Sequence, residues 1–335
     1  MGLIKQIWQA ITGGSASFDD VLPKPDTKLI LDLQKASRPM GIEPPYLAHF
    51  KKENKNLCYV AAQHAAGDES ATFQTIRDAV ATFQPDFVIV EGLRTNLGSS
   101  PAELVAESKQ DAKEHFIHAY ESSYAAHLAH ESGVSFIGGE PPHEMVLSNM
   151  QTHGYTPTDL MAGYLLRMIP VWRNQGELNE KNFEKQAMDY FATDSFCMQF
   201  SPEKQLTFAK FEDWYQKHAT PGKTYLQLEQ EDFKPMNLPN STYLERQNYW
   251  ASAVRDKHLV ETISNALSEH DRVMVVYGSS HLEKSRPVLQ KMFGSQGTNI
   301  QLYTNVLVEP EPQINSHWAD KAHKPVTPEL SAHRA

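Results

Sequence analysis

Cysteine is nearly absent from this chain. The two that occur, Cys58 and Cys197, form no disulfide framework and no CxxC metal pair. Cys58 lies in an apolar run and reads as a core residue. Long hydrophobic stretches are missing too. No segment approaches the ~20 apolar residues of a membrane-spanning helix. The start, MGLIKQIWQAITGG, is too short and polar for a secretory signal. A cytoplasmic setting is therefore the expected one. Position 6 is Gln, so the myristoylation pattern fails. Basic excess is also absent: 31 Lys and Arg face 41 Asp and Glu, for a net charge of -10, which excludes a basic nucleic-acid face. There is no GxGxxG, no Walker lysine and no GxSxG elbow.

What is present is ordinary globular composition, 40% hydrophobic and 21% charged over 335 residues. That is enough for one large α/β domain with an insertion, or for two domains. The organising stretch is RVMVVYGSSHL over 272–282. A short β-branched run bounded by turn residues predicts a strand buried on both faces, as in a parallel sheet. Gly278 ends it, and His281 is delivered beyond its carboxyl end, where open α/β sheets bind ligands. A loop histidine bonded to backbone is the competing reading.

The same pattern recurs along the chain. Strands are predicted over 56–62, ending in His64; over 86–90, ending in Glu91; and over 134–137, ending in Glu140. Helices are expected between them, one near 71–84 and one long helix from 102 to 131. The long helix carries His115, His118, His127 and His130 at spacings of three and four. These read as a partly buried face or as a second metal site.

Residues 151–243 lose the strand–helix alternation and read as an all-helical insertion, with Pro170 stopping or kinking its first helix. Its aromatic residues fit a core or a substrate cleft. Helices over 242–268 and 283–293 flank the opening strand, and a last strand is predicted over 300–308. The expected layout is thus an α/β fold with a largely parallel sheet: an N-terminal arm at 1–50 with a short helix near 28–35, core segments at 51–150 and 244–310 around the insertion, and a mobile tail at 311–335. Leu3, Ile4, Ile7, Trp8 and Ile11 have helical spacing. They suit a helix docked on the body or a peripheral membrane or partner contact through residues 1–12.

Parallel strands with right-handed crossovers bring His64, Glu91, Glu140 and His281 to one sheet edge. Two His and two Glu suit a divalent metal. From Arg255 to the end of its helix is about 20 Å at ~1.5 Å per residue, and the opening strand is about as long at ~3.3 Å per residue. Arg255 and Asp256 are therefore expected level with that edge. There an Arg could hold a carboxylate or an oxyanion. Ser279 and Ser280 are neighbours of His281 in sequence, which does not make a Ser–His dyad.

These motifs resemble the superfamily that groups TraB/PrgY-type proteins, Tiki proteases, erythromycin esterases and ChaN-type haem-binding lipoproteins. The Tiki and TraB branch has two GxxH motifs, an acid after the second strand, and an Arg-Asp or Arg-Asn helix before the final GxxH. Here these are Gly278-Ser-Ser-His281, Glu91 in VIVEG, and Arg255-Asp256 in AVRDKHL; the first motif reads Ala61-Ala-Gln-His64, with Ala in place of Gly. The likeness covers about 56–148 and 244–308 and leaves the insertion unmatched.

The resemblance implies a metal-dependent hydrolase of the peptidase kind acting on a small molecule or peptide. His64, Glu91 and His281 would contact the metal. Glu140 would be a further ligand or general base, Arg255 would steady an oxyanion, and Asp256 would orient it or a histidine. Imidazole and carboxylate donors favour Mn²⁺ or Co²⁺, with Zn²⁺ also suited. The esterase branch implies instead a metal-independent esterase with His64 as base. The ChaN branch implies a non-catalytic haem- or partner-binding module.

Overall fold

The computed structural model describes residues 22–33, 35–36, 42–64, 67, 69–116, 120–200, 204–294 and 302–303. The expected N-terminal helix, the tail beyond 310 and His118 lie outside them. The chain divides into two compact units, one formed by Met1–Leu31, Ala36–Gly139 and Val260–Ala335, the other by Asp32–Lys35 and Glu140–Leu259. Each is described by itself.

The first unit is an α/β fold built on a six-stranded sheet. Its strands are β1 (Tyr46–Lys52), β2 (Lys55–Ala62), β3 (Phe87–Arg94), β4 (Ser135–Glu140), β5 (Arg272–Gly278) and β6 (Leu302–Tyr303), in the order β4-β3-β5-β2-β1-β6. β5 runs parallel to both β2 and β3, and β1 is antiparallel to β2 and β6. The reason is legible in β5 itself. Val273, Met274, Val275, Val276 and Tyr277 are all fully buried, as a strand covered on both faces requires.

Between β2 and β4 the helices of this unit are α1 (Ala71–Phe83), α2 (Ala102–Lys113) and α3 (Glu121–Glu131). Ser70 caps α1 by accepting from the Phe73 N–H, and Phe73, Ile76, Ala79 and Val80 keep a helical period into the core with Val60, Val90 and Val276.

Four expectations change here. The arm at 1–50 contains a core strand: Tyr46, Leu47, Ala48 and Phe50 are buried in β1, which turns back on β2 through Glu53-Asn54, with Glu53 at φ +54°. The short helix near 28–35 is a single turn of 3-10 helix at Thr27–Leu29. The long helix over 102–131 is two helices, because His115 and Phe116 take φ of +54° and +53°, which no α-helix accommodates. Glu91 lies within β3, since the ladder continues past it to Arg94.

The second unit is helical between β4 and the long helix, as the loss of alternation predicts. It holds α4 (His143–Thr152), α5 (Pro157–Gln175), α6 (Phe183–Thr193), α7 (Phe208–His218) and α8 (Tyr243–Glu269), the last continuing into the first unit. α5 runs through Pro170 rather than stopping there. Leu165, Leu166, Ile169 and Trp172 are buried around it, and that packing outweighs the ~3 kcal/mol an internal proline costs. The core joins these to Phe183, Phe191, Phe211 and Trp214. Among the described residues no helix is long and apolar enough to cross a membrane.

Candidate functional site

The carboxyl edge of β5 gathers the site in the first unit. Ala62 of β2 pairs with Gly278 of β5, so both strands end level, and Val90 of β3 pairs with Val276. Glu91 therefore reaches the edge from β3. Its Oε2 accepts the Gly278 N–H at 2.6 Å. Gly278 also caps α9 (Ser279–Phe293), placing this carboxylate at a helix N-terminus, where the backbone dipole favours negative charge. His281 sits in the first turn of α9, not in a loop, and is buried. The helix starts directly at Ser279, so the turn expected after Gly278 does not exist. His281 Nε2 lies 3.7 Å from Glu91 Oε1, an ion-pair distance when the ring is charged.

Gly278 is required here by space rather than by φ, which is -53°. A Cβ at this position would meet Glu91 Oε2 at 3.2 Å, His281 Cδ2 at 3.7 Å and His64 Nε2 at 3.8 Å. Three of the expected site residues thus surround one hydrogen of one glycine.

His64, two residues past the end of β2, is held from behind. Its Nδ1 is 2.6 Å from Oε1 of Glu121, the first residue of α3. Glu121 is 1% exposed, while the His64 side chain is 65% exposed. In the tautomer that carries its hydrogen on Nδ1, His64 donates to Glu121 and leaves Nε2 as the acceptor nitrogen. Glu121 Oε2 is buried with no hydrogen-bond partner among the described residues. One ligand atom from each of His64, Glu91 and Glu121 lies within 4.8 Å of the others. Donors on opposite sides of an ion at ~2.1 Å stand ~4.2 Å apart, so His64 and Glu91 could share a small divalent cation after slight closure, with Glu121 engaged by His64 Nδ1.

Sequence reasoning missed Glu121. Read as the middle of a helix over 102–131, it looks like a solvated acid. The signal was the run Tyr-Glu-Ser-Ser at 120–123, whose acid and hydroxyls suit a helix start.

No family model matches the chain, and no curated protein or solved structure is significantly similar to it.

Glu140, Arg255 and Asp256 belong to the second unit. There Arg255 grips Glu140 with one edge of its guanidinium: Nε donates to Oε2 at 2.7 Å and Nη2 to Oε1 at 2.5 Å. Both carboxylate oxygens of Glu140 are thereby engaged by a single bidentate pair. Asp256 is buried at 2% exposure, and its Oδ2 accepts from Ser252 Oγ at 3.4 Å.

Among the described residues, the histidines expected as an alternative site do not share a single helix. His115 sits in the break after α2. His127 packs its ring edge-to-face on Phe116 with centroids 5.5 Å apart, and has a buried Nδ1 without a partner among the described residues.

Proposed function

We propose that the chain is a metal-dependent hydrolase acting on a small molecule or peptide, with its centre at the carboxyl edge of β5. The observation that carries this reading is the convergence of His64 Nε2, Glu91 Oε2 and His281 around Gly278. His64, Glu91 and His281 would hold the ion, and Mn²⁺, Co²⁺ or Zn²⁺ suits such a donor set. Bound there, a divalent ion supplies a Lewis acid that makes water acidic enough to attack near neutral pH. Glu121 fixes the His64 tautomer from behind, as carboxylates do for ligating histidines. The Gly278 N–H, at the start of α9, donates to the Glu91 carboxylate and orients it. The likeness of these motifs to the TraB and Tiki branch supports the same reading. In the second unit, Arg255 and Glu140 are locked to each other by their bidentate pair.

A second reading is favoured by the His64–Glu121 contact. A histidine backed by a buried carboxylate is also a general base, so a metal-independent esterase with His64 as base follows if no ion binds. Metal analysis of the purified protein separates the two. One equivalent of Mn²⁺, Co²⁺ or Zn²⁺ bound at micromolar concentration, weakened at least tenfold by His281→Ala and by His64→Ala, supports the first reading. A folded protein that binds none of the three overturns it in favour of the second.

A further inference from the structure

His143 and Ser195 form a pair in the second unit that the centre at β5 does not use. His143 is the first residue of α4, and Ser195 lies in the turn that follows α6. Ser195 Oγ is 2.9 Å from His143 Nε2. The two ends of this contact differ in setting. His143 is buried at 7% exposure and its Nδ1 is closed to solvent, whereas Ser195 is exposed. A buried imidazole within hydrogen-bond reach of an accessible hydroxyl is the arrangement that activates a serine nucleophile.

Neighbouring residues hold both partners in place. Pro142 is the N-cap of α4 at φ -53°, so its ring fixes how the chain enters the helix at His143. The His143 ring rests on fully buried Phe196, with centroids 5.3 Å apart. Phe196 is also the residue after Ser195, so one aromatic side chain both seats the imidazole and anchors the turn. Asp194 Oδ1 accepts from the Phe196 N–H at 3.0 Å and from the Cys197 N–H at 3.1 Å. Gln199 Nε2 donates to the Ser195 carbonyl at 3.2 Å. The serine is thus presented on a pinned turn. The same turn limits its chemistry. Backbone N–H groups beside a nucleophile commonly hold the oxyanion of acyl transfer. Here the two that follow Ser195 already donate to Asp194, which favours substrates whose leaving group departs easily.

We propose that Ser195 is a nucleophile with His143 as its general base, and that the pair cleaves aryl esters through an acyl-serine. With the ring hydrogen on Nδ1, Nε2 takes the Ser195 proton as Oγ bonds to the ester carbonyl carbon. The adduct collapses by breaking the bond from that carbon to the aryl oxygen, and the phenol leaves with the proton from Nε2. Water then attacks the acyl carbon and gives a proton to Nε2. The carboxylic acid departs as Ser195 Oγ takes that proton back. The sum is ester plus water giving acid plus phenol, and it draws on no residue of the first unit.

The test treats the full chain with para-nitrophenyl acetate, followed by acid quench and peptide mapping of the acetyl group. Ser195 should be acetylated at least about a hundredfold faster than exposed Ser99, the lower end of what a positioned base contributes. His143→Gln, with its fold checked by circular dichroism, should bring the rate at Ser195 down to that of Ser99. Should that variant not fold, the ratio of Ser195 to Ser99 in the wild type decides. A chelator should leave the labelling of Ser195 unchanged, which separates this result from the fate of the metal centre. Equal acetylation of Ser195 and Ser99 would reduce the contact to a bond that pins a turn and overturn the proposal. Full-rate labelling in folded His143→Gln, loss of labelling with chelator, or equally fast acetylation by para-nitroacetanilide would also overturn it.

Discussion

The His64 imidazole and the Glu121 carboxylate meet at 2.6 Å, one side chain largely in solvent and the other almost wholly buried. A buried carboxylate with one oxygen lacking a partner is costly unless a proton or cation nearby compensates it. Glu121 therefore makes His64 a better electron donor at Nε2 and fixes which way its ring faces. Glu121→Gln should keep the shape, lose the charge, and lower the affinity for Mn²⁺ or Co²⁺ about tenfold or more. Titration of wild type and variant with either ion checks this; equal affinities would remove Glu121 from the site.

Gly138 of β4 passes so close to β3 that a Cβ would fall 2.1 Å from the Leu93 carbonyl oxygen. Backbone cannot yield as a flexible side chain can. Gly138→Ala should destabilise the protein by about 3 kcal/mol or more, at the upper end of overpacking costs. Ser135→Ala, at the exposed start of the same strand, should change the urea midpoint little.

His49 and His127 each pack against a phenylalanine ring, Phe83 and Phe116, and each has a buried ring nitrogen without a partner among the described residues. Burial, aided by Lys51, holds His49 below its ordinary pKa of 6.5. Burial does the same to His127, with Glu131 opposing. Depressed folded values mean that the unfolded chain takes up protons first as pH falls. Stability should therefore be lost below about pH 6.5 and level off beneath the folded values. Urea midpoints at pH 7.5 and 5.5 should fall for the wild type and fall less for the His49→Gln, His127→Gln double variant. A midpoint that rises toward pH 5.5 would contradict this.

Asp159 organises the helical unit. Its Oδ1 accepts from buried Trp214 Nε1 at 2.7 Å, and its Oδ2 accepts from the Thr156 N–H at 2.5 Å and from Thr156 Oγ1 at 2.6 Å. Burial alone would raise its pKa; the donors from Thr156, Trp214 and Tyr243 outweigh it and hold the group below 3.8. Trp214→Phe leaves a buried carboxylate oxygen without its donor and should cost about 1–3 kcal/mol. Chemical denaturation followed by helical circular dichroism measures it.

The sheet and its site were readable to different depths. β5 announced itself through unbroken β-branched residues, and the ends of β2 and β3 followed from the same pattern. That is why the pattern places His64, Glu91 and His281 at one edge; Glu140, expected with them, belongs to the second unit. β1 was hidden because two prolines before it and two lysines at its end have the composition of a loop, while its core role depends on pairing with β2. Glu121 was hidden for a different reason. The break at His115 and Phe116 is a backbone choice that neither residue type demands, and only that break turns Glu121 into the start of a helix.

The position of β5 between β2 and β3 also dictates an order of events. β1 with β2 and β3 with β4 are two ribbons, near-local in the chain, that are joined only when residues 272–278 arrive. Until then each ribbon presents a bare edge of unpaired backbone groups, for the whole time that the intervening helical unit is being synthesised. That unit draws almost all its contacts from one continuous stretch and can collect itself first. The sheet closes last and over a long loop, the slow kind of step in folding. A ribosome stalled before residue 272 would therefore hold a chain with a finished helical part and a sticky, divided sheet, and that intermediate is where a chaperone would be needed most.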